Sequence, residues 1–309
     1  IEDVAYFNAA DMEFPVGLNL LGKASSDNRH LVASGIVSVF KNTWPEFWGP
    51  RTEYILYAAA AALLDCDNVS LLGIQRMLSD ARYRAWVVKQ IKDPMVRTFW
   101  TREFVGYNVS LRSDVIAPVQ NKVGQLLMSP HLRNILGQIR SRIDARFMMD
   151  KGRIFVADVS KGALGGDKAN LLGALLVTQF EVAAMSRSNV PESERRPFCL
   201  YIDEFQSFAS DSFVSILSEA RKYGLCLTLS HQYGNQVRPQ IRDAIFGNVG
   251  SIIAFRVGQR DAESLEKEFG GEYPARRFVD LENHQVCAKI LENGRYGNLV
   301  TARTLPAWG

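Results

Sequence analysis

From about residue 151 onward, short apolar runs alternate with amphipathic stretches. The runs are Arg153-Ile154-Phe155-Val156-Ala157, Phe198-Cys199-Leu200-Tyr201-Ile202, Leu225-Cys226-Leu227-Thr228-Leu229 and Ser251-Ile252-Ile253-Ala254-Phe255. Each is rich in branched and aromatic side chains and continuous rather than alternating, the pattern of strands buried on both faces of a parallel sheet. Helical periodicity fills the gaps, over 170–187, 212–223, 238–246 and 261–269. Strand and helix in that rhythm predict right-handed crossovers and an α/β fold with a doubly wound, mostly parallel sheet.

The preceding stretch reads differently. Residues 27–150 carry helical periodicity almost throughout, as in Leu31/Ile36/Val37/Phe40 and Ile55/Leu56/Ala59/Leu63, with Pro45, Pro94, Pro118 and Pro130 as punctuation. Asp93-Pro94 and Ser129-Pro130 have the form of a helix N-cap followed by a first-turn proline. Five to seven helices are expected here. Residues 1–26 open with the strand-like Val4-Ala5-Tyr6-Phe7 and continue as a Gly/Pro/Asn-bearing loop. The expected division is therefore a sheet domain formed by 1–26 and 151–309, interrupted by an all-helical domain at 27–150. The abrupt start at Ile1 suggests a domain entered part-way.

Composition narrows the picture little. Of 309 residues, 47% are hydrophobic and 22% charged, and the net charge of +3 neither demands nor excludes a nucleic-acid partner. The longest apolar stretch, 54–64, is too short to span a bilayer, and no secretory leader is visible, so a cytoplasmic location is expected. Cys66, Cys199, Cys226 and Cys287 lack metal-site spacing and read as buried, reduced thiols. The four histidines share no metal or triad spacing and read as structural.

Candidate chemistry gathers where an apolar strand runs into two acids, Leu200-Tyr201-Ile202-Asp203-Glu204. Ligands of open α/β sheets bind beyond the carboxyl ends of the strands. A carboxylate there holds magnesium through water beside substrate phosphates, and a second one orients water for attack on a γ-phosphate. This is the Walker B arrangement; the plainer reading is an Asp-Glu pair capping the next helix. The following strand ends in Ser230-His231-Gln232, where Gln232 either reaches the same crevice or satisfies a turn. Gly17-Leu18-Asn19-Leu20-Leu21-Gly22-Lys23-Ala24 nearly matches the phosphate-binding G-x-x-x-x-G-K-[ST], but Ala24 stands where a magnesium-binding hydroxyl belongs. The segment is read as a decoy, with a true Walker A loop expected before Ile1.

Several segments together resemble the HerA/FtsK superfamily, and more narrowly the TraG/TraD-type coupling ATPases of conjugation and type IV secretion. They are Leu200-Tyr201-Ile202-Asp203-Glu204-Phe205-Gln206, Leu217-Ser218-Glu219-Ala220-Arg221-Lys222-Tyr223-Gly224-Leu225, and Ser230-His231-Gln232-Tyr233. Weaker matches, including Val159-Ser160-Lys161-Gly162, Gly247-Asn248-Val249-Gly250 and the opening Tyr6-Phe7-Asn8, extend the resemblance over nearly the whole chain. It implies a RecA-like core and a homo-oligomeric, hexameric, ATP-driven DNA pump with Mg2+ as cofactor, its nucleotides lying between subunits. It implies Asp203 for magnesium, Glu204 for the attacking water, Gln232 as γ-phosphate sensor and Arg221 as the arginine presented to a neighbour's nucleotide. On residue chemistry alone Arg221 reads as a helix-end cation. Arg256 is either a second interface arginine or a strand-end salt bridge. Relaxosome or secretion-system proteins are possible partners. The rival readings are an adaptor whose helical domain receives protein substrates without touching DNA, and a HerA-type motor of DNA repair or defence. The helical region also carries a basic series from Arg76 to Lys151 that reads equally as phosphate-contacting or as solvated surface. Its tryptophans Trp44, Trp48, Trp86 and Trp100 are expected to pack the core rather than stack on bases.

Overall fold

Two strands far apart in sequence lie side by side at the base of the fold. In the computed structural model, which describes residues 3–22, 28–210 and 212–306, β1 (Val4–Asn8) pairs in parallel with β2 (Ile154–Asp158), Val4 opposite Ile154 and Asn8 opposite Asp158. The helical stretch is thus inserted between neighbouring strands. One face of the pair is apolar and covered: Phe155 lies 6.5 Å from Phe7 and 5.5 Å from Phe180, which stacks in turn on Phe198 at 5.5 Å. The other face, with Val4, Tyr6, Ile154 and Val156, is open to solvent. The expectation of strands buried on both sides fails there, because helices cover a single face.

Phe180 belongs to the Gly166–Met185 helix, the spine of this unit. It is long and apolar enough to cross a bilayer, but 72% of its apolar window is buried inside the protein, as in a core helix. Against it packs α1 (Arg29–Thr43), so helices from either side of residue 150 share one core. The compact units accordingly differ from the expected domains. One takes 1–200 with 207–212 and 220–227, and the other 201–206, 213–219 and 228–309.

The inserted region holds nine α-helical segments among the described residues, more than expected, because breaks at Asp80, Asp93 and Ser129 divide it finely. They include α2 (Pro50–Leu63), α3 (Gly73–Ser79), α4 (Ala81–Val88) and α5 (Pro94–Thr98). Asp93 caps α5 as anticipated, accepting from the Met95 and Val96 amides. Ser129 precedes a helix with Pro130 in its first turn, yet its side chain makes no cap bond. Pro118 does not end a helix; it lies inside Val109–Met128, whose packing outweighs the backbone bond that proline forgoes. A π-helical turn, Phe99–Glu103, buries Phe99 and Trp100.

β3 (Phe198–Ile202) pairs with β4 (Leu225–Leu229). The Phe198 amide donates to the Gly224 carbonyl at one end and the Ser230 amide to the Ile202 carbonyl at the other, so the strands run in the same direction. In the second unit, β5 (Ile252–Ala254) pairs antiparallel with β6 (Gln285–Lys289), which also pairs antiparallel with Val300–Arg303. Phe269, Tyr273, Phe278 and Cys287 form their core. The described strands therefore form four small sheets rather than one doubly wound sheet, and β5 joins an antiparallel one. The α/β character holds.

Candidate functional site

The carboxyl ends of β3 and β4 are laced together beyond the last strand residues. The Ser230 amide donates to the Ile202 carbonyl and the Phe205 amide to the Ser230 carbonyl, both at 3.0 Å. That brings Asp203 and Glu204 against Ser230 and Gln232. The Ser230 hydroxyl donates to Asp203 Oδ1, which also accepts the Glu204 amide at 3.0 Å. Gln232 Nε2 donates to Glu204 Oε1 at 2.5 Å, and Gln206 Nε2 donates to Glu204 Oε2 at 2.6 Å. A further bond ties Gln206 Nε2 to Gln236 Oε1 at 3.1 Å. Both oxygens of Glu204 are thus held by amides, whereas Asp203 Oδ2 has no partner among the described residues.

Glu204 occupies the left-handed region with φ +50°, a conformation costing about 1–2 kcal/mol for a side chain with a Cβ. Such strain gathers where surrounding contacts fix a residue for a purpose. Behind the pair, His231 stands edge-on to Phe205, ring centroids 5.3 Å apart. Burial holds its imidazole below the ordinary value of 6.5, opposed by the carboxylates of Asp261 and Glu204. It sits neutral at physiological pH and lines the site without adding charge.

Asp203 and Ser230 suit a magnesium ion that arrives with phosphates: one free carboxylate oxygen and a hydroxyl, the rest left to water and substrate. No group of three His, Cys, Asp or Glu able to cage a metal occurs among the described residues. A phosphate cradle is not formed by Gly17–Gly22. Leu18, Leu20 and Leu21 are buried, the Leu18 amide donates to the Ile135 carbonyl, and Asn19 Nδ2 donates to the carbonyls of Val69 and Ile139. A Cβ on Gly17 would meet the Arg140 carbonyl at 2.7 Å, so this glycine serves close packing. Lys23 and Ala24 lie outside the described residues.

Neither arginine, Arg221 or Arg256, is bonded to Asp203 or Glu204 among the described residues. Arg256, just past β5, donates from Nη2 to Asn283 Oδ1 at 3.2 Å, so of its two readings the strand-end salt bridge is not formed among the described residues. Arg221 is exposed on the 3-10 turn Ala220–Tyr223 that precedes β4, at the opposite end of that strand from Ser230. Cys199 and Cys226, expected to be buried, are both exposed, one on each of β3 and β4. Sequence reasoning singled out Gln232 and the acids but gave no role to Ser230 or Gln206; Ser230 is signalled as the first polar residue after β4, whereas Gln206, in the turn Phe205–Ser207, carries no such mark.

No family model and no curated protein matches the chain. Solved structures do. The unbound bacterial conjugative coupling protein TrwBdeltaN70 superposes with a TM-score of 0.66 at 12% identity, over 98% of this chain and 73% of that one. The chain has the coupling-protein fold. TrwB in complex with a non-hydrolysable ATP analogue gives a TM-score of 0.67 at 12% identity, over 98% of this chain and 74% of TrwB. VirB4 of Thermoanaerobacter pseudethanolicus follows at 0.54 and 11% identity, over 98% of this chain and 76% of VirB4. At these identities the likeness is one of fold.

Proposed function

We propose that this chain carries the hydrolytic end of an ATP-driven coupling ATPase of conjugation or type IV secretion, one that moves DNA and acts at the subunit interfaces of a ring. The observation that carries this reading is the convergence of Asp203, Glu204, Ser230 and Gln232 at the carboxyl ends of two parallel strands. The fold supports it, because TrwB has been solved with an ATP analogue and with ADP and Mg2+. Magnesium bound with nucleotide would supply neutralisation of phosphate charge. Asp203, anchored by Ser230 through one oxygen, would hold that ion through its other oxygen by way of water. Glu204 would take a proton from water as the water oxygen bonds to the γ-phosphorus and the bond to the β-phosphate oxygen breaks, releasing ADP.

The amides of Gln232 and Gln206 each hold one Glu204 oxygen, which fixes the base in place. Gln232, bonded to the base, is placed to bond a γ-phosphate oxygen as well, which would link sensing to hydrolysis. Arg221, displayed at the far end of β4, suits a neighbour's nucleotide rather than its own. Arg256 is assigned a lesser interface role. Work at the cytoplasmic face of a membrane, with relaxosome or secretion proteins as clients, fits this reading.

Asp203→Asn in the full-length protein tests it. ATP turnover should fall about a hundredfold or more while nucleotide still binds, and the magnesium concentration for half-maximal rate should rise. Unchanged turnover and magnesium dependence would remove Asp203 from the mechanism.

A further inference from the structure

The basic series of the helical region is not uniform once side-chain partners are assigned. Between residues 73 and 103 seven lysines and arginines stand against three acids, while the whole chain nets only +3. Some of these cations are committed internally. Arg84 donates to the Met77 carbonyl at 2.7 Å and lies over the Phe104 ring. Arg76 pairs with Asp80 at 3.4 Å and lies 4.0 Å above the Tyr83 ring. Arg82 and Lys89 differ: both are exposed, and their side chains have no hydrogen-bond or ion-pair partner among the described residues.

Between them on α4 stands Trp86, 44% exposed, against the expectation that it packs the core. Positions 82, 86 and 89 follow the i, i+4, i+7 spacing of one helix face, and Val87 is buried on the other side. The indole is braced from behind, its ring centroid 5.5 Å from that of Tyr83, which Arg76 covers. A rigid aromatic plane flanked by two unpaired cations spans about 10 Å along the helix, the reach of a nucleotide or two.

We infer that this face of α4 is a contact surface for single-stranded DNA, with a base stacked on Trp86 and backbone phosphates on Arg82 and Lys89. The inference rests on the DNA-handling part of the proposed function and gives it a place on the chain. A paired duplex keeps its base faces stacked inside, so it would meet the cations but not the indole. An acidic protein segment would likewise use charge alone.

The test uses the 309-residue chain without nucleotide, titrated with labelled dT20, a 20-base-pair duplex and poly-glutamate across a salt series. The expected result is that dT20 binds with quenching of the indole emission that W86F lacks. W86A should weaken binding about tenfold, W86F should restore most of it, and R82E/K89E should flatten the logarithmic salt slope by about 1.4. Binding of dT20 that is unmoved by W86A and R82E/K89E overturns the assignment. So does duplex or poly-glutamate binding through Arg82 and Lys89 as tight as that of dT20, with no Trp86 quenching. Because nucleotide is absent, failure here leaves the Asp203–Glu204 reading intact, and an inert Glu204 would leave strand binding intact.

Discussion

Replacing Arg187 with methionine should cost about 2–4 kcal/mol, a large fraction of the stability of a globular protein. The guanidinium is completely buried, although the residue lies just past the end of a helix. Its Nε donates to Asp150 Oδ1 at 3.0 Å, and its Nη1 donates to the Arg196 carbonyl at 2.9 Å and the Tyr223 carbonyl at 3.2 Å. Methionine fills much of the volume but leaves two carbonyls without a donor, at about 1 kcal/mol each in partly buried surroundings. The ion pair adds about 1 kcal/mol more, discounted because Asp150 is 40% exposed and keeps Arg146 on its other oxygen at 2.5 Å. Relief of the charge's own desolvation, which lowers the Arg187 pKa ahead of the opposing pull of Asp150, offsets part of this. Urea unfolding followed by circular dichroism should show the midpoint lowered by about 1 M with the slope unchanged. The two carbonyls stand at the approaches to β3 and β4, whose far ends carry Asp203 and Ser230. A shift under about 0.5 kcal/mol would show that Arg187 is tolerated rather than needed.

Two further outcomes follow from the same geometry. Ellman's reagent should titrate Cys199 and Cys226 quickly in the folded chain. Cys66, buried and with its thiol pushed up to about 11, and the buried Cys287 should react only on unfolding; four fast thiols would contradict this. The His231 ring favours its neutral form when folded, so the unfolded chain binds a proton first as pH falls through 6.5. Its contribution is complete above that pH and drains away below it. Melting curves between about pH 5 and 7 should therefore be flatter in His231→Gln; parallel curves would exclude His231 as a contributor.

The parts of the fold legible in the sequence were those set by local periodicity. Strand runs of five residues at 198–202 and 225–229 are where β3 and β4 form, and the Asp93-Pro94 start is a real cap. Pro118 was misread because a proline's backbone cost is local, whereas the burial of Val115, Val119 and Val123 that holds its helix is tertiary. Sheet partnership was not legible either. Ile252-Ile253-Ala254 looks like any buried strand, and only its neighbour Gln285–Lys289 decides that it pairs antiparallel. At the site, strand ends gave the acids and Gln232. The bond from Ser230 to Asp203 and the grip of Gln206 on Glu204 depend on register between strands, which no spacing along one strand encodes. Trp86 and the two exposed cysteines show the same limit from the other side, since apolar identity predicts burial only on average.

The central claim is that Glu204, held between two glutamine amides, is the base that activates water. Single-turnover hydrolysis of ATP by the full-length protein carrying Glu204→Gln tests it most directly. In that variant ATP should stay bound and uncleaved, with the chemical step slowed about a thousandfold. Cleavage at the parent rate, with ATP bound equally well, would contradict it.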